Sequence, residues 1–248
     1  MYGATRYTVL KKRVLAPKIK EIDIYSPRIA RAGQFVMVMV DRKGERILLT
    51  LVDWDREGRW IRVVFQEVGV STIKLGLVDV GENLYHVSGP HGVPTHISRF
   101  GTVAVVGGGV AIAALYPVAR AFKEAGNRVV AIIGAKSSDL LIYEDEVRSV
   151  CDELYISTDD GSRGIRGYVS SALEKIVSEG LKPDLVWIVG PTAMMKACSS
   201  VARRYGVASL NPIMVCGMGM CSACRVRVYG RTRFTCLEGP EFDALGVD

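Results

Sequence analysis

Up to Val87 the chain runs in short alternating or apolar stretches separated by glycines. Tyr7–Leu15, Ile19–Tyr25, Phe35–Val40, Arg46–Val52, Trp60–Gln66 and Asn83–Val87 each predict a strand. The only helical signal among them is Ser71–Leu75, so this part predicts a small antiparallel β-barrel. Ser88-Gly89-Pro90-His91-Gly92-Val93-Pro94 breaks the pattern and predicts a linker between domains. Beyond Gly101 the pattern becomes strand, glycine turn, helix, strand: Thr102–Val106, Gly107–Gly109, Ala111–Glu124 and Arg128–Gly134. Strands at Glu153–Ser157 and Leu185–Val189 and helices at Asp139–Ser149, Gly167–Ser178 and Ala193–Tyr205 extend it into a doubly wound parallel α/β domain. The tail predicts a hairpin, Arg225–Tyr229 and Arg231–Thr235 about Gly230. The expected division is a barrel over 1–98, an α/β domain over 99–208 and a small C-terminal subdomain over 209–248.

With 49% hydrophobic residues in 248, the chain has enough apolar matter for such cores. No apolar run approaches the roughly eighteen residues of a membrane span, and Met1-Tyr2-Gly3-Ala4-Thr5-Arg6 lacks a signal-peptide core. The expectation is a cytoplasmic setting in which thiols stay reduced. The formal charge of +6 is spread along the chain without interleaved aromatics, which argues against nucleic acid and leaves an acidic protein partner open. No Ser-His-Asp or Cys-His pattern favours hydrolysis, and Glu144-Asp145-Glu146 reads as a solvated helix start. The three histidines, His86, His91 and His96, are expected not to be metal ligands.

The tail carries the most specific chemistry. Cys216-x4-Cys221-x2-Cys224-x11-Cys236 has the short spacings by which plant-type ferredoxins hold a 2Fe-2S cluster, with Gly217 and Gly219 in the first gap to let N–H groups approach sulfur. Zinc is the alternative, but zinc ribbons pair two Cys-x-x-Cys knuckles and only Cys221-Ser222-Ala223-Cys224 is present. Gly107, Gly108 and Gly109, between a buried strand and a helix, suit a dinucleotide pyrophosphate or simply tight packing. The second strand ends at Gly134-Ala135-Lys136 with no acidic residue for ribose hydroxyls. In the barrel, Arg46, Leu48 and Thr50 share one strand face, and Gly69-Val70-Ser71-Thr72 opens a short helix. Together they suit a flavin, or an exposed arginine and an ordinary helix cap.

The order of barrel, glycine-turn domain and four-cysteine tail resembles the ferredoxin–NADP reductase superfamily over essentially the whole chain. Cys-Gly-Met-Gly-Met-Cys-Ser-Ala-Cys and Cys236-Leu-Glu-Gly-Pro-Glu-Phe-Asp look like the electron-transfer subunit of dihydroorotate dehydrogenase. Glu45 to Trp54 looks more like the small subunit of NADH-dependent reduced ferredoxin:NADP oxidoreductase, a group that often has aspartate where this chain has Cys216. Sulfide dehydrogenase and hydrogenase flavin subunits are further relatives.

The resemblance implies FAD in the barrel, with Arg46, Leu48, Leu49, Thr50, Val64, Phe65, Gln66, Gly69, Ser71 and Thr72 about it, Thr50 facing flavin N5. Arg46 precedes Thr50 by four residues where the family's arginine usually precedes the hydroxyl by three. It implies NAD(P)H docked at Gly107, Gly108, Gly109, Gly190 and Pro191, and a 2Fe-2S cluster on Cys216, Cys221, Cys224 and Cys236. The function implied is an FAD-dependent oxidoreductase subunit passing electrons between NAD(P)H and a catalytic partner subunit, of the dihydroorotate dehydrogenase kind. The alternatives are a ferredoxin, sulfide dehydrogenase or hydrogenase complex, in which ferredoxin is a further partner. An iron–sulfur redox sensor is the non-enzymatic alternative.

Overall fold

Seven strands of the N-terminal half hydrogen-bond in the order β6-β1-β2-β5-β4-β3-β7: β1 Tyr7–Ala16, β2 Ile19–Tyr25, β3 Phe35–Met39, β4 Arg46–Trp54, β5 Trp60–Gln66, β6 Asn83–Leu84 and β7 His86–His91. The terminal strands β6 and β7 are consecutive in the chain, so the sheet curls into a nearly closed barrel. The structure, a computed structural model, describes residues 7–55, 57–202 and 205–247. The predicted start at Met1–Arg6, and Arg203 and Arg204 near the end of the last predicted helix, lie outside them.

Alternation fixes which barrel residues face where. Val36, Val38, Leu49, Leu51, Ile61, Val63 and Phe65 fill the barrel interior. In the β3–β4 ladder Phe35 lies opposite Thr50, Met37 opposite Leu48 and Met39 opposite Arg46. Directly paired residues share a face, so these six side chains point outward together.

The second half is a seven-stranded sheet in the order β11-β10-β9-β8-β12-β13-β16. Its strands are β8 Thr102–Gly108, β9 Arg128–Ala135, β10 Glu153–Thr158, β11 Ile165–Arg166, β12 Leu185–Val189, β13 Gly206–Ser209 and β16 Glu241–Asp243. All pair in parallel except β16, which runs antiparallel to β13. The helices are α1 Val70–Leu77 in the barrel, then α2 Ile112–Glu124, α3 Glu144–Arg148, α4 Val169–Ser178, α5 Thr192–Ala202 and, in the tail, α6 Thr235–Glu238. Between β13 and β16 the tail carries a separate ribbon of β14 Arg225–Val228 and β15 Arg231–Phe234. Among the described residues no helix is long and apolar enough to cross a membrane.

The structure corrects two expected elements. Ser88–His91 belongs to strand β7, where a linker was expected; β7 ends the sheet order, and an edge strand accepts Pro90 despite its missing N–H. The helix expected over Asp139–Ser149 is a 3-10 turn at Ser138–Leu140 followed by α3, because Tyr143 adopts φ 59, outside helical space.

The barrel and the α/β domain meet through a shared apolar cluster that includes Val52 and Val64 from one and Val105, Leu115 and Trp187 from the other. A charged seam borders it. Arg62 donates to both oxygens of Asp23 at 2.6 and 2.8 Å, the Tyr143 hydroxyl donates to buried Glu21, and Arg120 pairs with Asp53 at 3.0 Å. The tail is anchored in turn: Thr95, just beyond β7, donates its hydroxyl to Glu241 of β16 at 2.5 Å.

Candidate functional site

The four cysteines come together as two pairs. Cys224 and Cys236 are buried with sulfurs 3.2 Å apart, and Thr235 fixes their spacing by donating from its hydroxyl to the Cys224 carbonyl at 3.0 Å. Cys216 and Cys221 lie in the loop outside them, half-buried and exposed. The Cys216 sulfur accepts the N–H of Met218 at 3.5 Å and of Cys221 at 3.4 Å, and the Cys236 sulfur accepts the N–H of Gly219 at 3.1 Å. Burial works against ionisation of Cys216, but these N–H groups and the Cys221 side chain outweigh it and bring the thiol down to about 6. Burial, and then the neighbouring Cys224, push the Cys236 thiol up to about 11.

The loop wraps as closely as it does because of two glycines. Gly217 (φ +72) and Gly219 (φ +81) sit in left-handed conformations, and a Cβ would lie 2.7 Å from Met37 at the first and 2.3 Å from Leu237 at the second. A single tetrahedral zinc needs all four sulfurs within about 3.8 Å of one another. Among the described residues no three potential ligands converge in that way. Two pairs with N–H donors on sulfur fit a two-iron cluster.

The cysteine tail rests on the outward face of β3 and β4. Cys224, Cys236 and Met214 form one apolar cluster with Phe35 and Met37, and Leu48 and Phe234 pack against it. Leu48 therefore touches the cysteine site while Thr50 and Arg46 flank it on the same strand face. Arg46 makes no ion pair among the described residues, nor does Arg28. Burial foremost, then the charges of these two arginines, hold His86 and His91 below the ordinary histidine range. His91 is held as the neutral ring, with a ring nitrogen hydrogen-bonded to the Ser88 hydroxyl at 3.1 Å. Leu49 and Phe65 point into the barrel interior and offer only backbone outward, whereas Val64 packs at the domain boundary and Gln66 is half-buried.

Gly69 opens α1 with nothing within 4 Å of where a Cβ would stand. Thr72 is committed to the turn: its hydroxyl donates to Gly69 O at 2.9 Å and accepts from the N–H of Val68 and Gly69 at 3.1 and 3.0 Å. The first-turn N–H groups of Val70 and Ser71 have no intrahelical acceptor, which suits a phosphate.

In the second domain the strand order reverses between β8 and β12, the place where such sheets bind nucleotides at their carboxyl ends. Val189 pairs with Gly107 across those strands, which sets Gly190-Pro191 beside Gly108. Gly109 (φ +61) has open space around it, and Met194 packs over Gly108 and Gly190. β5 of the barrel touches the turn Gly109–Ala111, so the flavin candidates on β5 and the glycine crevice adjoin.

Sequence comparison decides what this arrangement belongs to. Residues 211–248 match the iron–sulfur cluster binding domain of dihydroorotate dehydrogenase B, and residues 105–200 match the oxidoreductase NAD-binding domain. The chain is 46% identical over 254 residues to the homolog of the dihydroorotate dehydrogenase B (NAD(+)) electron transfer subunit of Thermotoga maritima, covering 100% of this chain and 89% of that one. It belongs to the dihydroorotate dehydrogenase B electron-transfer subunit family.

The chain is also 33% identical to the electron transfer subunit of Streptococcus thermophilus over 95% of each chain. A solved structure reported for flavin-based electron bifurcation by the NADH-dependent reduced ferredoxin-NADP oxidoreductase superposes with a TM-score of 0.93 at 44% identity, over 100% of this chain and 91% of that one. The iron–sulfur and NAD-binding character expected of the sequence is thereby shown.

Arg28 and Met194 were not among the residues singled out by sequence. Arg28 lies in an irregular loop with no periodicity to flag it, and Met194 reads as an ordinary apolar residue of α5 until Gly108 and Gly190 are brought beneath it. Cys198 is fully buried with its thiol pushed up to about 12 by desolvation, so it stays protonated.

Proposed function

We propose that the chain is the electron-transfer subunit of a heteromeric oxidoreductase, passing electrons between NAD(P)H and a partner subunit through FAD and a 2Fe-2S cluster. The observation that carries this reading is the apolar cluster in which Cys224 and Cys236 meet Leu48, on the strand face of Thr50. FAD supplies the conversion between a hydride and single electrons, which the cluster then carries one at a time.

The chain's own residues bind and orient. The N–H groups of Val70 and Ser71 would take the flavin pyrophosphate, with Arg46 and Arg28 supplying positive charge, and Thr50 would offer its hydroxyl to the flavin ring. Gly108, Gly109 and Gly190-Pro191 admit the nicotinamide pyrophosphate. The buried Cys224 and Cys236 and the more exposed Cys216 and Cys221 would together hold the cluster. Ile213 (82% exposed) and Met220 (81% exposed) belong to the same tail, an apolar surface suited to a long-lived partner subunit.

The nucleotide is NAD(H) in this reading. Asp159 and Asp160 follow β10 and bond by their N–H groups to Ala135 O at 3.1 Å and Lys136 O at 3.2 Å. They bring carboxylates to the end of β9, where ribose hydroxyls are usually held and a 2′-phosphate would be repelled.

Two partners share this mechanism. Cys216 as first ligand favours a dihydroorotate dehydrogenase. The 46% identity to a dihydroorotate dehydrogenase B electron transfer subunit homolog stands with it, whereas the 44% identity and TM-score of 0.93 to the NADH-dependent reduced ferredoxin-NADP oxidoreductase structure favour the ferredoxin-linked kind. The complex as isolated from its host separates them. Dihydroorotate-dependent NAD+ reduction supports the first, NADPH- and ferredoxin-linked turnover supports the second, and neither activity would overturn both.

A further inference from the structure

The ribbon β14–β15 joins the third and fourth cluster ligands, and it carries Arg225, Arg227, Arg231 and Arg233. Arg225 directly follows Cys224. In the ribbon's register Arg225 lies opposite Phe234 and Arg227 opposite Thr232, so both arginines share the face of Phe234, which packs against Cys224 and Cys236. Positive charge therefore stands on the same ribbon face as the aromatic ring that borders the cluster site.

Three carboxylates of the tail among the described residues are engaged elsewhere or by another arginine. Glu238 is taken by Arg233 at 2.5 Å, Glu241 is enclosed against Thr95, and Asp243 accepts from the Tyr229 hydroxyl. Arg225 and Arg231 are exposed and form no ion pair among the described residues. Charges of either sign would keep a two-stranded ribbon from pairing edge to edge. Here all four are arginine: Arg225 directly follows one ligand, and Arg231 and Arg233 stand on the ribbon's other face, opposite Val228 and Val226.

We propose that this ribbon is the landing surface for a dissociable, acidic one-electron carrier protein, which collects electrons from the cluster. The inference rests on the electron-transfer reading above. A carrier that leaves after each electron needs a fast encounter and a small contact, which opposite charge provides and a large apolar contact does not. The apolar surface at Ile213 and Met220 has the opposite character and remains for the long-lived partner subunit. Each NAD(P)H oxidised yields two electrons and one proton, so two carriers take up one electron each and the proton goes to solvent.

The test uses the full chain loaded with FAD and cluster, NADH as donor, and three acceptors: an acidic plant-type ferredoxin, basic cytochrome c and an uncharged quinone. Raising salt from roughly 20 to 300 mM is expected to slow ferredoxin reduction about tenfold and leave quinone reduction unchanged. The double variant R225E/R231E is expected to lose about tenfold with ferredoxin at low salt, gain with cytochrome c and keep its quinone rate. R225Q/R231Q, which removes the charge without adding acid, carries the same test should the reversal fail to fold.

Ferredoxin rates indifferent to both salt and charge, with quinone reduction intact, would overturn the landing surface alone. So would a reversal that only raised self-association, which would assign the arginines to edge protection. Loss of quinone reduction in the unaltered chain would instead overturn the electron-transfer reading, and this inference with it.

Discussion

Replacing Cys224 by serine is expected to abolish NADH-driven reduction of one-electron acceptors, by about a hundredfold or more, while the chain still binds FAD. Cys224 is 2% exposed and its sulfur lies 3.2 Å from that of Cys236, so a shorter, harder oxygen there removes half of the inner ligand pair. The flavin candidates lie in the barrel and on the first turn of α1, and they do not depend on that sulfur. Iron, acid-labile sulfide and flavin per chain check the outcome. Because Cys224 also packs against Phe35 and Met37, the companion change Cys221→Ser is the control. That residue is exposed, so it is expected to lose the cluster without disturbing the apolar cluster beneath. Retention of full iron in both variants would contradict the assignment of the ligands.

Gly109→Val is expected to raise the KM for NADH about tenfold or more and to leave flavin and cluster content unchanged. Gly109 holds φ +61 with nothing within 4 Å, so a branched side chain both strains the turn and fills the space through which a pyrophosphate reaches the backbone. Strain alone is separated by Gly126→Ala, at φ +81 just beyond α2 and likewise in open space. A comparable loss of stability there with an unaltered KM assigns the Gly109 effect to the nucleotide. Equal KM values for Gly109→Val and the unaltered chain would remove the glycine turn from the site.

Local signals made much of this fold readable before its structure. The barrel strands announced themselves by alternation, and the first strand, glycine turn and helix of the second domain by the change of period at Gly101. The cysteine spacing named the cluster because ligand geometry is short-range in sequence. Strand β16 escaped notice: it has three residues and gains its partner β13 only through the return of the tail onto the second sheet. β7 was hidden by Gly89 and Pro90, turn residues that an edge strand tolerates. Helix α3 was overread because Glu144-Asp145-Glu146 favours a helix start, whereas the left-handed Tyr143 that spends its hydroxyl on Glu21 is a tertiary constraint.

The site was legible in its parts and not in its assembly. Sequence placed Arg46, Leu48 and Thr50 on one face, but nothing local said that the face would be covered by Met214, Cys224 and Cys236, some hundred and seventy residues away. Leu49 and Phe65 show the reverse. Family resemblance placed them about the flavin, and alternation turns their side chains into the barrel core. Likewise no acidic residue follows β9 in sequence, and the sheet supplies Asp159 and Asp160 from the neighbouring strand.

The central claim is that electrons from NAD(P)H reach the cluster through a flavin held by the barrel. Anaerobic titration of the chain with NADH, followed by electron paramagnetic resonance of the reduced 2Fe-2S cluster, tests it most directly. The account predicts a cluster signal that grows with added NADH in the FAD-loaded chain and is absent when FAD has been stripped and the cluster kept. A cluster that stays oxidised while the flavin bleaches, or one reduced equally well without FAD, would contradict it.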